Sequence, residues 1–292
     1  MSSTPAKAAL NGALADPSPA LGGQPLLQGK RLVVTGVVTR SSIAWSVARC
    51  AQLAGAEVVL TSFGRLRRLT ARAGRMLPQE PEVLELDVNE PDDFERLTEE
   101  LGNRFGRVDG ALHAVAYAPQ EGFGGNFVRA PAEVAETTFR TSAYSLKALA
   151  EALVPLMTDG GSIVAMDFDA TKVWPQYDWM GPAKAALESI ARYLAFYLGP
   201  RGIRVNCVAS GPLETLAATS LPFYWDYSDI WHRRAPLGWD TRAVEKVAEP
   251  ICFLFSDLAR AITGELLHVD GGYNAVATEA GVPVELRDRF TD

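Results

Sequence analysis

Seven short apolar runs, separated by longer amphipathic stretches, constrain the fold of this chain more than any other feature. The runs are continuously apolar rather than alternating, which is typical of strands buried on both faces of a parallel sheet. Parallel strands need crossover connections, and helices between the runs would supply them. The pattern therefore predicts an α/β, doubly wound fold with a seven-stranded parallel sheet and helices on both faces. In chain order the predicted strands are RLVVTG, EVVLTSF, VLELDV, GALHAVAY, SIVAMDF, IRVNCVASG and ELLHVDGG.

The stretches between these runs have helical periodicity in five places. Open parallel sheets bind ligands at the carboxyl ends of their strands, so site residues are expected directly after each apolar run. Residues 216–240, between the last two strands, are too long and too aromatic for a simple connection. We call them the aromatic segment and interpret them as a substrate lid. The predicted helices cover residues 42–54, 91–105, 131–156, 177–198 and 242–255.

Length and composition indicate one large domain, because 292 residues with 48% hydrophobic side chains suit a single core. Residues 1–28 are rich in Ala, Pro, Ser and Gly and lack the charged start and apolar stretch of a signal peptide. We predict a disordered N-terminal extension over 1–28, a single domain over 29–273 and a C-terminal extension over 274–292.

Charge and cysteine usage exclude several classes of function. The formal net charge is −7 and there is no long basic run, so neither nucleic acid nor a membrane surface is an expected partner. No apolar run approaches the ~20 residues that span a bilayer. The three cysteines and three histidines do not cluster with metal-ligand spacing. We therefore expect a reduced, cytoplasmic protein with no metal.

The turn after the first run, in VVTGVVTRSSIA, has a single glycine, Gly36, where dinucleotide-binding loops usually have three. Ser41 and Ser42 follow it and begin a helix, whose free N–H groups attract an anion. An ordinary strand-to-helix turn capped by Ser41 explains the same residues about as well. On its own, this turn is a weak indication of a pyrophosphate site.

The second and third runs end in candidate adenosine contacts. Phe63, Gly64 and Arg65 stand where an acidic residue usually binds the ribose hydroxyls. Asp87 ends the third run, where its carboxylate would accept a hydrogen bond from the adenine amino group. A cap or turn role is the more common explanation of a lone Asp at a strand end.

The strongest signal is the pair Tyr177 and Lys184, which lie seven residues apart on a predicted helix and hence on one face. Such a lysine would bind the nicotinamide ribose and favour a more acidic phenol, which would then stabilise a developing oxyanion. A solvated helix face is the more common explanation of an isolated pair. Its combination with the phosphate turn, Asp87 and the run NCVASGP favours a nicotinamide-dependent reductase.

Motifs across most of the chain support this interpretation: SSIA, LELDV, SAYS, GSIVAMDFD, WPQYDWM, GPLETLA, PLGW and TGELLHVDGG. Through them the chain, from Gly29 to about Tyr273, resembles the short-chain dehydrogenase/reductase superfamily. Within it, the chain is most similar to the type I enoyl-acyl-carrier-protein reductases of the mycobacterial long-chain branch. The resemblance implies a Rossmann-type fold, an NAD cofactor, an acyl thioester substrate on acyl carrier protein, and a homotetramer serving fatty acid biosynthesis.

The resemblance also implies roles for individual residues. It assigns catalysis to Tyr177, Lys184 and Phe168. Substrate contacts fall on Tyr117, Phe168, Tyr177, Met180 and Trp225. Cofactor contacts fall on Gly36, Val38, Ser42, Ile43, Phe63, Asp87, Val88, Ala114, Val115, Ala116, Thr141, Met166, Asp167, Lys184, Pro212, Leu213 and Thr215.

The predicted reaction is hydride transfer from reduced nicotinamide to the β-carbon of a 2-enoyl thioester, with Tyr177 stabilising the enolate oxygen. A ketone-reducing member of the superfamily would have a Ser twelve or thirteen residues before the Tyr, where this chain has Val164 and Ala165. Phe63 followed by Arg65 is similar to the NADH-using branch. NADPH stays possible, since Arg65 could instead pair with a 2′-phosphate.

Two departures from the family pattern keep alternatives open. Ala114, Val115 and Ala116 replace the Ser and Gly usual near the pyrophosphate, and the aromatic segment is shorter and more aromatic than in the long-chain enzymes. These changes suggest a shorter, flatter or more polar acyl group. The alternative function is a secondary-metabolite reductase acting on a C=C or C=O bond. A cofactor-sensing protein without catalysis is a third possibility, which the intact Tyr177 and Lys184 disfavour.

Overall fold

The computed structural model describes residues 25–277. Its centre is one parallel sheet with the strand order β3-β2-β1-β4-β5-β6-β7. The predicted seven-stranded, doubly wound sheet is therefore confirmed. The strands are β1 (Arg31–Val34), β2 (Glu57–Ser62), β3 (Val83–Glu85), β4 (Gly110–His113), β5 (Gly161–Asp167), β6 (Ile203–Ser210) and β7 (Leu266–Val269).

Most predicted helices are present, with changes at their ends. The helix predicted over 131–156 is divided by a π-helical turn at Arg140–Tyr144, and those predicted from 177 and 242 each begin three residues later. Helix α2 was not predicted, because only three of its nine residues are buried: Thr70 and the two small residues Ala73 and Gly74. The helices are α1 (Ile43–Leu53), α2 (Leu66–Gly74), α3 (Pro91–Phe105), α4 (Ala132–Phe139), α5 (Ser145–Leu153), α6 (Met180–Leu198), α7 (Leu216–Thr219), α8 (Tyr224–Arg234) and α9 (Glu245–Phe255).

Two apolar clusters cover the two faces of the sheet. Leu32 and Val34 of β1 belong to the cluster that includes α1 and α9. Val33, between them in sequence, belongs to the cluster that includes α3, α5 and α6. Successive side chains of a strand point to opposite faces, so a continuously apolar run is what a sheet covered on both sides requires.

The residues just before the predicted domain start at residue 29 are part of the described structure. Leu27, assigned to the N-terminal extension, is 0% exposed, and its N–H donates to the carbonyl of Ala54 at 2.8 Å. Residues 25–28 therefore belong to the folded domain, because they cover the end of α1. The rest of the two predicted extensions, 1–24 and 278–292, lies outside the described residues. None of the helices within 25–277 has the length and hydropathy needed to span a bilayer.

Candidate active site

The connections reverse direction between β1 and β4, and Gly36 lies at this point. Its φ is +82°, and a Cβ there would lie 2.1 Å from the carbonyl oxygen of Ala114. Only glycine fits, both for conformation and for space. The hydroxyl of Thr35 also links the strands, donating to the carbonyl of Leu112 and accepting from the N–H of Ala114, both at 2.9 Å. The two strand ends are thus held close enough to form a ligand crevice.

Ser42 precedes α1, but its hydroxyl stabilises the loop rather than the helix. It accepts hydrogen bonds from the N–H groups of Val38 and Thr39, both at 3.1 Å. Ser41, the alternative cap considered from sequence, is bonded to the Thr39 hydroxyl at 2.9 Å. Within the described residues no side chain caps α1, and its first turn has no acidic residue. The positive helix end is therefore available to an anion.

The end of β2 has a carboxylate that the sequence did not reveal. Glu85, at the end of β3, accepts from the N–H of Gly64 at 2.9 Å and pairs with Arg67 at 2.7 Å. Residue Phe63 beside it is 39% exposed. A carboxylate is thus present at the end of β2, although it comes from the neighbouring strand.

Asp87 and Thr141 are joined through Asn89. One oxygen of Asp87 accepts from the backbone and side-chain nitrogens of Asn89, at 2.9 and 3.1 Å. The Thr141 hydroxyl donates to the Asn89 side-chain oxygen at 2.9 Å from within the π turn. Asp87 therefore makes the turn contacts that a strand-end Asp commonly makes, which leaves its second oxygen for a ligand. Val88 beside it is half-buried.

Tyr177 is not on a helix, and the argument from helical spacing is wrong for this residue. Helix α6 begins at Met180, and Tyr177 lies in the preceding turn. Its neighbours Gln176 and Asp178 have φ values of +66° and +42°, a conformation that residues other than glycine adopt at a cost. The phenol is therefore positioned by a strained turn, which the Tyr–Lys spacing alone could not indicate.

Backbone contacts hold this turn against the loop that follows β4. The Asp178 carboxylate accepts from the N–H groups of Gly125 and Asn126, at 2.7 and 2.8 Å. The carbonyl of Gln176 accepts from the N–H of Gly124 at 2.9 Å. As a result, the ring of Phe123 lies 6.1 Å from that of Tyr177. Sequence reasoning missed Phe123, whose one signal is an aromatic residue beside two glycines.

Lys184 and Asp167 lie behind the phenol, both only 5% exposed. The Lys184 ammonium donates to the carbonyl of Met166 at 2.7 Å. Neither carboxylate oxygen of Asp167 makes a hydrogen bond with a described residue. Burial raises the pKa of Asp167 to about 7, with Lys184 opposing the shift and Glu188 adding to it. Burial also lowers the pKa of Lys184, against the attraction of Asp167.

The phenol of Tyr177 is a hydrogen-bond donor in this site. Burial raises its pKa well above the usual value, and the charge of Asp167 and the Tyr227 phenol add to the effect. The expectation that Lys184 makes the phenol more acidic is therefore wrong, because desolvation raises the pKa of the phenol and Lys184 is not among the groups that shift it. Tyr177 is therefore protonated at neutral pH.

These elements enclose a cavity of about 400 Å³. It is lined by many of the predicted site residues, namely Ile43, Ala116, Tyr117, Met166, Asp167, Phe168, Tyr177, Met180, Lys184, Pro212, Leu213 and Thr215. The predicted Gly36, Val38, Ser42, Phe63, Asp87, Val88, Ala114, Val115 and Thr141 lie outside this lining, at or near the carboxyl ends of β1 to β4.

Trp225 is the one predicted substrate contact that the structure does not bring to the cavity. It is 59% exposed, whereas Phe223, Tyr224 and Tyr227 line the wall. Positions three and four residues apart share one face of a helix, so α8 turns Tyr224 and Tyr227 inward and Trp225 outward. The sequence predicted aromatic residues of the segment at the cavity, but selected the wrong one.

Comparison with known proteins identifies the family. A family model described as enoyl-(acyl carrier protein) reductase matches residues 36–274. The chain belongs to the enoyl-acyl-carrier-protein reductase family. A Mycolicibacterium smegmatis protein named enoyl-acyl-carrier-protein reductase (NADH) is 42% identical over 262 residues, which cover 85% of this chain and 97% of that protein. A similarly named Mycobacterium avium protein is 40% identical, with coverages of 85% and 97%, and one from Bacillus cereus is 38% identical, with 85% and 98%.

These relatives are named as NADH-dependent enzymes, and several residues of this chain suit a nicotinamide dinucleotide. Gly36 leaves no room for a side chain at the crevice, and the uncapped end of α1 lies just beyond it. The buried Lys184 lines the cavity, as does Asp167, whose carboxylate has no hydrogen-bond partner among the described residues. A pyrophosphate at α1 and a nicotinamide ribose at Lys184 match this donor set. Among residues 25–277 no group of three side chains is arranged to hold a metal ion.

Proposed function

We propose that this protein reduces the 2,3 double bond of an enoyl thioester with NADH. The observation that carries the proposal is the Tyr177 phenol, which is held as a donor at an apolar cavity next to the buried Lys184. A donor in such surroundings stabilises negative charge on an oxygen far better than it would in water.

NADH, when bound, would supply the hydride for the β-carbon. Tyr177 would donate a hydrogen bond to the thioester oxygen, on which negative charge develops, and the α-carbon would then take a proton from solvent. The rings of Phe123 and Phe168, centred 6.1 and 5.2 Å from that of Tyr177, keep water from the phenol. Lys184 leaves the Met166 carbonyl, or shares it, to bind the ribose hydroxyls.

Three residues around the end of β2, one of them from β3 and one from α2, support NADH over NADPH. The Glu85 carboxylate lies against the backbone of Gly64, where it would repel the 2′-phosphate of NADPH. Arg67, which could have neutralised that phosphate, is engaged by Glu85 at 2.7 Å. The exposed ring of Phe63 is free to stack on the adenine.

The acyl carrier protein is the proposed bearer of the thioester, and the cytoplasm the proposed site of action. We also propose a homotetramer in which α6 pairs across a two-fold axis. Helix α6 exposes Tyr193, Phe196 and Tyr197, at 66, 75 and 69% of their surface, and large exposed apolar patches mark interfaces. Light scattering at micromolar concentration should give a tetramer, and a monomer would contradict this part of the proposal. Fractionation of expressing cells should leave the activity in the supernatant.

The deciding experiment follows loss of NADH absorbance with crotonyl and octenoyl thioesters and, separately, with a panel of ketones. We expect turnover with the thioesters and none with the ketones. Val164 and Ala165, where a ketone reductase would have its Ser, are fully buried inside β5 and cannot contact a substrate. Ketone reduction without thioester reduction would favour the alternative reductase, and NADH binding without any turnover would favour a cofactor sensor.

A further inference from the structure

The acyl side of the cavity is formed by aromatic rings from the aromatic segment. Phe223, Tyr224 and Tyr227 line it, at 2, 3 and 9% exposure. Trp231, one turn further along α8, is 2% exposed and lies behind them. The inward face of α8 is thus filled by large rings, where a flexible aliphatic wall would leave adjustable space.

Several contacts hold this wall in place. The Tyr227 phenol donates to the carbonyl of Pro175, two residues before Tyr177. The Trp231 ring stacks on Tyr273 at a centroid distance of 3.7 Å and on Trp174 at 5.0 Å. Moving α8 outward would break the stacks and the hydrogen bond together, so the wall has little freedom to yield to a long ligand.

Phe223 closes the cavity beside the phenol. Its ring lies 6.5 Å from that of Tyr177 in an edge-on orientation, 6.3 Å from Phe123 and 5.3 Å from Tyr227. The phenol is therefore surrounded by rings on the side away from Lys184. An acyl chain that starts at the Tyr177 oxygen meets Phe223 and Tyr227 after a short distance.

The volume leads to the same conclusion. The cavity of about 400 Å³ is near the lower end of the range for small-molecule sites, about 300–1,000 Å³. Part of it belongs to the nicotinamide, since Ile43, Met166 and Lys184 line the same space. The exposed Tyr117, Ala217 and Ser220 mark its open side, which a carrier-bound thioester must occupy. The acyl end is then directed toward the aromatic wall.

We propose that Phe223 and Tyr227 restrict this enzyme to short, flat 2-enoyl thioesters and exclude long acyl chains. The inference rests on the proposed function and adds the substrate class. Crotonyl and octenoyl groups fit before the wall. A 3-phenylpropenoyl group fits as well, because its ring can stack edge-to-face with the rings around it.

The test measures kcat/KM with NADH for crotonyl, octenoyl, dodecenoyl and 3-phenylpropenoyl thioesters. The parent enzyme should prefer octenoyl to dodecenoyl by at least tenfold and should accept 3-phenylpropenoyl at least as well as octenoyl. Phe223→Ala should narrow the octenoyl-to-dodecenoyl ratio to within about threefold, because removing the ring opens the wall. Leu237→Ala, from the same aromatic segment but 89% exposed and outside the cavity lining, is the control and should leave the ratio unchanged.

A parent enzyme that reduces dodecenoyl as well as octenoyl would overturn the inference, as would a Phe223→Ala enzyme that keeps both its crotonyl activity and the parent ratio. If Phe223→Ala does not fold, Phe223→Leu and calorimetric binding of octanoyl and dodecanoyl thioesters give the same comparison without turnover. If the parent enzyme turns over none of the four thioesters, the proposed function itself is contradicted. This outcome differs from those above, which contradict only the proposed chain-length restriction.

Discussion

The two halves of the candidate active site are built in different ways. The cofactor edge consists of backbone and small side chains at strand ends, such as Gly36 against Ala114 and Ser42 against its own loop. The other half, which we call the acyl wall, consists of large rings around Tyr177. These rings include those of the aromatic segment, such as Phe223, and those of Phe123 and Phe168 from other parts of the chain.

This difference determines how each half responds to change. The cofactor edge depends on close backbone approach, which sheet pairing enforces, so an added methyl group there is costly. The acyl wall depends on which rings fill a given volume, so one substitution can resize it while the sheet stays intact. A reductase of this fold can therefore acquire a new acyl specificity without losing its cofactor.

The largest effect should come from the phenol that both halves share. Tyr177→Phe should lower kcat by about 10²–10³-fold, because the donor to the developing oxyanion is lost, while the NADH dissociation constant stays within about twofold. Lys184→Ala should instead raise that constant by about tenfold or more. Single-turnover kinetics and fluorescence titration separate the two. Equal losses of binding with unchanged turnover would contradict the division of roles.

The next largest effect tests the backbone approach at the cofactor edge. Gly36→Ala should lower the free energy of unfolding by about 2–4 kcal/mol and weaken NADH binding, since the new Cβ meets the Ala114 carbonyl oxygen at 2.1 Å. Urea unfolding measures the loss. Gly64→Ala is the matched control: φ is +51° but no described atom lies within 4 Å, so about 1 kcal/mol is expected. If both variants lose a similar amount of unfolding free energy, then the positive φ alone, and not the close approach of β4, requires glycine at position 36.

The buried carboxylate between the halves should make stability depend on pH. Because burial raises the pKa of Asp167 to about 7, the folded protein retains a proton that the unfolded chain releases above about pH 4. Its contribution to stability is complete below about pH 4 and is lost as the pH rises through 7. The stability advantage of Asp167→Asn over the parent should therefore grow by about 2–3 kcal/mol between pH 5 and pH 8, as measured by urea unfolding. Asp159→Asn, whose parent side chain is 71% exposed, should show no such trend. If the free energies of unfolding of Asp167→Asn and the parent differ by the same amount from pH 5 to pH 8, Asp167 is ionised throughout that range.

The smallest effect concerns cofactor choice. Glu85→Gln removes the charge at the end of β2 and should strengthen NADPH binding relative to NADH by about three- to tenfold. Glu82→Gln, whose parent carboxylate pairs with Arg104 at 2.7 Å, should leave the ratio of the two dissociation constants unchanged. An unchanged ratio in Glu85→Gln would remove this carboxylate from the explanation of NADH preference.

Much of the fold was predictable because its signals are local. Continuous apolar runs identified all seven strands, and α3 has the bounds its sequence indicates, from Pro91 to Phe105. Helix α2 was missed because LRRLTARAG lies on the surface and has little apolar periodicity. The site residues after strand ends were predictable for the same reason as the strands, since the position of each follows from the run before it.

The remainder of the site depends on contacts between distant residues. Glu85 reaches the end of β2 through strand pairing, and Tyr177 is positioned by bonds from the Asp178 turn to Gly125 and Asn126. Phe123 approaches Tyr177 only because of those bonds. Nothing within a few residues of these positions in sequence specifies such contacts.

By itself, the sequence determined the seven strands in chain order, the glycine at the crevice and the identities of Tyr177 and Lys184, because chain connectivity and side-chain period act over short distances. Only the tertiary structure decided that burial raises the pKa of the phenol, that Asp167 has no hydrogen-bond partner among the described residues, and that Tyr227 rather than Trp225 lines the cavity. Desolvation and ring packing depend on which side chains surround a group, and these surroundings form only when residues far apart in the sequence come together.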